Sequence, residues 1–176
     1  LGTERGDSHA YDYAALIVPT SSEATIYRNL RPRNITYRRI YMTDMLVNLY
    51  MERDVQDKSI FENEYVSIKR ALAIDKEEIC KFVKDNFTEI CPGWVDECAS
   101  TLYRQPTSCF IAVKDKKIVG FACYDSTAKG TVGPMGVSLE FRKKGIAKSL
   151  LNSCLEAMKM EGYSYAIIGW VSSTEF

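Results

Sequence analysis

Histidine is almost absent from this 176-residue chain: His9 stands alone, and that scarcity excludes a good deal of chemistry. Zinc-hydrolase sites and Ser-His or Cys-His nucleophile pairs would all have to pass through one residue near the chain start. Long hydrophobic runs are missing too. Nothing approaches the ~20 apolar residues that span a bilayer, and Leu1-Gly2-Thr3-Glu4-Arg5 has neither the basic start nor the apolar stretch of a secretory signal. The expectation is a cytoplasmic protein with no membrane partner. An excess of either charge is also lacking, with 23 Lys plus Arg against 23 Asp plus Glu. No global field draws in nucleic acid, and none is expected as a partner; any pull on a polyanion is local, as along the basic stretch Arg31 to Arg39. The six cysteines (Cys80, Cys91, Cys98, Cys109, Cys123, Cys154) contain no C-x-x-C pair. They are read as reduced structural thiols, with no metal site. A Gly-Lys pair for a P-loop is absent, and Gly130-x-x-Gly133-x-x-Gly136 does not match the dinucleotide fingerprint.

What is present is enough apolar material for a core, 46% of residues, with 26% charged. From Tyr65 onward the elements alternate. A strand is predicted from about Tyr65 to Ile74. Asp75 with Glu78 three residues later then forms a capping box ahead of the Ile79, Phe82, Val83, Phe87 stripe of a helix. Cys91-Pro92-Gly93 ends it, and a second helix runs from Trp94 to Tyr103. Cys109 to Val113 and Ile118 to Tyr124, around a turn at Asp115-Lys116-Lys117, read as a β-hairpin. Thr131 to Leu139 is a strand interrupted at Gly133-Pro134, where a bulge or splay is expected. Ile146 to Glu161 carries one apolar face at helical spacing (Ala147, Leu150, Leu151, Cys154, Leu155, Met158), Gly162 stops it, and Tyr163 to Val171 is an apolar central strand. The order of strand, helix, helix, three strands, helix, strand is α/β. In the N-terminal third, Tyr13 to Val18 looks like a strand, and Met45 to Met51 fits a strand or a helix.

The chemistry is concentrated in Val137-Ser138-Leu139-Glu140-Phe141-Arg142-Lys143-Lys144-Gly145-Ile146-Ala147. If a strand ends near Leu139 and a helix opens near Gly145, the turn's amides and the first helical amides converge on one point, where the helix dipole adds about half a positive charge. That point is an anion site. Gly145 keeps side chains off an approaching phosphate, Ala147 keeps the first turn slim, and Arg142, Lys143, Lys144 and Lys148 supply the local charge that the neutral whole lacks. The plainer alternative is a solvated basic surface.

Arg142-x-x-Gly145-x-Ala147 resembles the R/Q-x-x-G-x-G/A motif of the GNAT superfamily of N-acetyltransferases, which follows a splayed strand and opens a helix. The resemblance covers about Met45 to Phe176, with Gly120 to Asp125 and Tyr163 to Gly169 matching the family's third and fifth strands. It implies a mixed, mostly antiparallel twisted sheet flanked by helices, formed by residues 45–176. Residues 1–44 are read as an N-terminal extension that is part of the fold, a separate segment or a foreign leader. The resemblance also implies acetyl-CoA as cosubstrate and a small-molecule or peptide amine as acceptor. Backbone groups of Met135, Gly136 and Val137 would pair with the pantetheine arm like an added strand, and those of Lys143 through Lys148, Ile146 included, would wrap the pyrophosphate. The Val137 amide would sit near the thioester carbonyl as an oxyanion donor. Glu140, Tyr124 and Asp125 are the candidates for removing the amine's proton, beside relay by water, and Trp94 is a candidate for the acceptor lip as well as for core packing. An inactive CoA-binding sensor or docking module is the competing reading. The chain stops at Phe176, where the family adds a helix and further strands; these are expected to be missing. Either the sequence is cut short, or Ala14 to Val18 or a partner chain, as in a homodimer, pairs with the edge of the Tyr163 to Val171 strand.

Overall fold

Seven strands form one sheet in the computed structural model, which describes the backbone of residues 16–18, 43–50 and 66–171. His9 and the Arg31 to Arg39 stretch lie outside the described residues. In chain order the elements are β1 (Leu16–Val18), β2 (Thr43–Asn48), β3 (Ser67–Arg70), α1 (Lys76–Phe87), α2 (Trp94–Thr101), β4 (Cys109–Lys114), β5 (Lys117–Tyr124), β6 (Thr131–Val137), α3 (Ile146–Met160) and β7 (Tyr165–Val171). Short 3-10 turns, Ala73–Asp75 and Leu139–Phe141, precede α1 and α3. The sheet order is β1-β2-β7-β6-β5-β4-β3. Five of its pairings are antiparallel, and β6 with β7, joined by the crossover through α3, is the parallel one.

The predicted hairpin forms because Asp115 and Lys116, at φ 48° and 63°, make a tight left-handed turn between β4 and β5. In α1 the residues Ile79, Val83 and Phe87 are buried at four-residue spacing. In α3, Ile146, Leu150, Leu151, Cys154, Leu155, Ala157 and Met158 are buried. The two helical layers cover opposite faces of the sheet. One core packs α3 against Val119, Ala122, Tyr124, Val132 and Val137, and the other packs α1 and α2 against Cys109, Ile111, Phe121 and Cys123. Among the described residues no helix is long and apolar enough to cross a membrane.

Three local expectations change. Asp75 does not cap α1 with Glu78; its carboxylate turns back to accept the Leu72 amide at 3.0 Å, and α1 starts without a side-chain cap. The strand predicted to reach Ile74 stops at Arg70, since the chain turns through Ala73–Asp75 to enter the helix. The edge of β7 is not open. Of the segment Met45 to Met51, residues 45–48 lie in a strand and Met51 is outside the described residues; buried Met45, Val47 and Leu49 alternate with half-buried Asp44, Leu46 and Asn48, and this β2 pairs along β7 from Thr43↔Val171 to Asn48↔Tyr165. The 16–18 segment pairs with β2 instead of β7.

Candidate active site

The sheet opens between β6 and β7. They pair at Thr131↔Ile167 and Val132↔Ile168, while β6 continues along β5 to Gly120↔Val137. Separation begins at Gly133-Pro134, where the proline has no N–H for a ladder and Gly133 sits at φ 139°. The direction of each amide beyond that point follows from the hydrogen-bond register. Ser138 donates to the Val119 carbonyl at 3.0 Å, so Ser138 and, two residues back, Gly136 turn their amides toward β5. Met135 and Val137 therefore turn theirs the other way, into the wedge facing β7. Gly136 contributes differently from its neighbours. A Cβ there would lie 2.5 Å from Cζ of Phe87, so the glycine lets the α1 aromatic press directly on the strand.

Past β6 the basic turn takes the shape that an anion site needs. Arg142 is extended, Lys143 is left-handed at φ 60°, and Gly145 is the left-handed N-cap of α3 at φ 78°. The first-turn amides of Ile146 and Ala147 have no acceptor within the helix, and a glycine N-cap has no side chain to offer one. Ile146 itself is buried at 1% exposure, so only its backbone faces the turn. Arg142 folds back, its Nε donating to the Val137 carbonyl at 3.1 Å. Lys144 gains a companion that the sequence did not suggest: Nζ of Lys144 and of Lys114, the last residue of β4, lie 5.4 Å and 5.3 Å from the centroid of the exposed turn's Phe141 ring. Lys114 is 28 positions before Arg142 in sequence, and no motif connects them.

Of the expected proton acceptors, Glu140 is exposed on the 3-10 turn beside this site. Tyr124 and Asp125 are elsewhere, at the end of β5 opposite Val132, about 16 Å along β6 from Val137 at 3.3 Å per residue. The buried Tyr124 hydroxyl accepts from Arg70 at 2.8 Å and donates to Glu161, and burial together with the Glu161 bond pushes its pKa up to about 12. The Asp125 side chain is 1% exposed and fully engaged: Arg104 pairs with it at 2.9 Å, Tyr163 donates its hydroxyl at 2.6 Å, and Gly130 donates its amide at 2.6 Å. Burial and that carboxylate raise Tyr163 to about 12. Arg70, Arg104, Glu161 and Tyr163 carry no sequence signal for these roles, because three separate elements bring them together. Trp94 opens α2 half-buried, with its ring 5.5 Å from Phe87 and 6.1 Å from Phe121. It joins the aromatic layer that ends on Gly136.

An acetyltransferase (GNAT) family model matches residues 74–175, more than half of the chain. No curated protein sequence matches it. Among solved structures, the GCN5-related glucosamine N-acetyltransferase region of a fungal multi-domain GH3 β-N-acetylglucosaminidase superposes with a TM-score of 0.62 at 14% identity, over 94% of this chain and 22% of that one. That likeness shows the fold. A GNAT family acetyltransferase from Brucella melitensis, solved with acetyl-CoA, gives 0.46 at 17% identity, over 56% of this chain and 71% of its own. A GCN5-related N-acetyltransferase from Kribbella flavida gives 0.42 at 13%, over 56% of this chain and 28% of its own. The chain thus spans less than a third of two of these three relatives. With the splayed strand, the glycine-capped helix and a matching family model all in one segment, the chain belongs to the GNAT family of acetyltransferases.

Proposed function

We propose that the chain transfers an acetyl group from acetyl-CoA to a primary amine of a small molecule or peptide. The observation that carries this reading is the wedge: two strand amides, Met135 and Val137, face an open slot that ends at the uncapped positive end of α3. A diphosphate on the turn, held by the backbone from Lys143 to Lys148 with Arg142, Lys144 and Lys114 nearby, directs its pantetheine arm into that slot. There Val137 and Met135 supply N–H donors as an added strand would, and the Val137 amide is the proposed donor to the thioester carbonyl as negative charge develops on it. The acceptor enters as the neutral amine, positioned more than chemically activated. Glu140 at the mouth, beside relay by water, is the proposed proton acceptor, and Trp94 the proposed lip; Tyr124, about 16 Å along β6 from Val137 with its hydroxyl held by Arg70 and Glu161, is too far away and keeps its own proton too tightly for that role. Asp125 is assigned to loop closure, since three donors already occupy its carboxylate.

One observation favours a second reading, a CoA-binding module without turnover: Tyr124 and Asp125 are both tied into buried networks. Free-thiol release from acetyl-CoA over a panel of amines, run beside calorimetric titration with CoA, separates the two. Turnover on at least one amine supports the transferase, whereas binding without turnover supports the module. Absence of CoA binding overturns both.

A further inference from the structure

Three thiols from three elements meet in the core beneath α2. Cys98 on α2, Cys109 on β4 and Cys123 on β5 are each 0% exposed, and their sulfurs all lie within 4.8 Å of one another. Cys109 and Cys123 sit directly opposite on paired strands, and the Cys123 and Cys98 sulfurs approach to 3.7 Å. Three sulfurs bonded to one central atom at about 2.3 Å in a trigonal array stand about 4 Å apart, so the present separations, 3.7 Å for one pair and within 4.8 Å for all, are within about 1 Å of a three-sulfur site. The walls are apolar, formed by Ala71, Leu102, Ile111 and Phe121. Two polar groups reach the cluster: the Thr101 hydroxyl, 3.6 Å from the Cys123 sulfur, and the Phe110 carbonyl, 3.8 Å from the Cys109 sulfur.

Charge decides which ligand suits it. Among the described residues, the groups that bear most on these thiols are one another, the Thr101 hydroxyl and two further thiols, Cys80 and Cys154, with no cation among them. Burial pushes the Cys123 thiol well up. A divalent cation on three thiolates would leave a net negative charge in this apolar setting, with no cation among those neighbouring groups to balance it. A trivalent centre on three thiolates leaves none. We propose that Cys98, Cys109 and Cys123 form a binding site for a trivalent thiophilic metalloid, with arsenous acid as the simplest such ligand. In the reaction As(OH)3 plus three thiols gives As(SR)3 plus three waters. Three S–H and three As–O bonds break, three As–S and three O–H bonds form, and nothing is oxidised or reduced. Entry requires transient lifting of α2, a helix of eight residues, so uptake is slow and bound arsenic pins that helix to the sheet.

The test uses the full reduced chain and sodium arsenite, with native mass spectrometry as the readout. One arsenic per chain is expected, at a mass gain of one arsenic less three hydrogens, with a rise in melting temperature. Cys98→Ala and Cys123→Ala each weaken retention on the order of 100-fold, because one of three linked ligands is gone, whereas Cys80→Ala retains the metalloid. Circular dichroism checks that each variant folds, and peptide mapping of the arsenic-linked wild type identifies the three sulfurs without any variant. Absence of arsenic on the folded wild type overturns the site. So does equal retention by Cys98→Ala, or mapping to other cysteines. Preferential retention of cadmium over arsenite overturns the assignment of a trivalent ligand.

Discussion

Gly145 carries two demands at once. Its φ of 78° is one that side chains rarely adopt, and its amide belongs to the surface on which a phosphate would rest. Gly145→Glu is expected to weaken CoA binding at least about tenfold, against a folding cost of about 1–2 kcal/mol from the left-handed backbone, which separates the two demands when calorimetric titration is run beside thermal melting. Val137 allows a test of a single hydrogen bond. Its amide faces the wedge and not β5, so Val137→Pro removes one donor from the slot without breaking the β5–β6 ladder. A loss of on the order of 100-fold in kcat/KM with an unchanged circular dichroism spectrum is expected; unchanged kcat/KM on a reactive amine would remove Val137 from the oxyanion role. Gly136 is governed by packing. Gly136→Ala drives a methyl group into the Phe87 ring and is expected to lower stability by about 1–3 kcal/mol in urea unfolding, with Phe87→Leu in the same chain restoring part of it. The importance of Gly145 is legible in the sequence from its place in the motif. The role of Gly136 is not, because Phe87 lies 49 positions earlier.

At the scale of elements, local rules served best where neighbours in sequence are neighbours in space. The β4–β5 hairpin, α3 with its buried stripe and the break in β6 at Gly133-Pro134 all follow from short-range chemistry. Segment ends did not, since Asp75 found the Leu72 amide a better partner than the one that a capping box assigns. The ends of β5 and α3 are tied by Tyr124 and Glu161, and this tie makes a pH prediction. The folded Tyr124 pKa of about 12 is above the unfolded value of about 10, so the folded state holds its proton more tightly. That contribution is fully present below pH 10 and is lost as pH rises through the window from about 10 to 12. Stability measured by denaturant unfolding is expected to fall across that window, and Tyr124→Phe is expected to flatten the fall. Tyr163, raised by burial and by Asp125, acts in the same direction, as do the buried thiols that burial pushes up, and together they contribute to the slope that remains.

For the whole molecule, zero net charge means that the proposed CoA affinity would rest on cations gathered at one place: Arg142, Lys143 and Lys144 from the turn and Lys114 from a distant hairpin. Lys114→Ala is expected to weaken CoA binding modestly, about two- to fivefold at low salt, and the difference from wild type is expected to shrink as salt is raised toward 1 M. An effect that persists undiminished in high salt would mean that Lys114 acts through packing on Phe141. The sheet shows the same dependence on distant residues, because β7 gains its second neighbour from β2, more than 100 residues earlier in the chain. The sequence by itself determined the family motif, the α/β order from β3 to β7 and the place of the left-handed Gly145 turn ahead of α3, since each rests on spacing and dihedral preferences within a few residues. Tertiary structure alone decided which amides face the wedge, why residue 136 is glycine, what holds Tyr124 and Asp125, and what covers the edge of β7. Those are contacts between segments far apart in the chain, and a contact of that kind leaves no local periodicity, cap or turn signal by which one residue announces its partner.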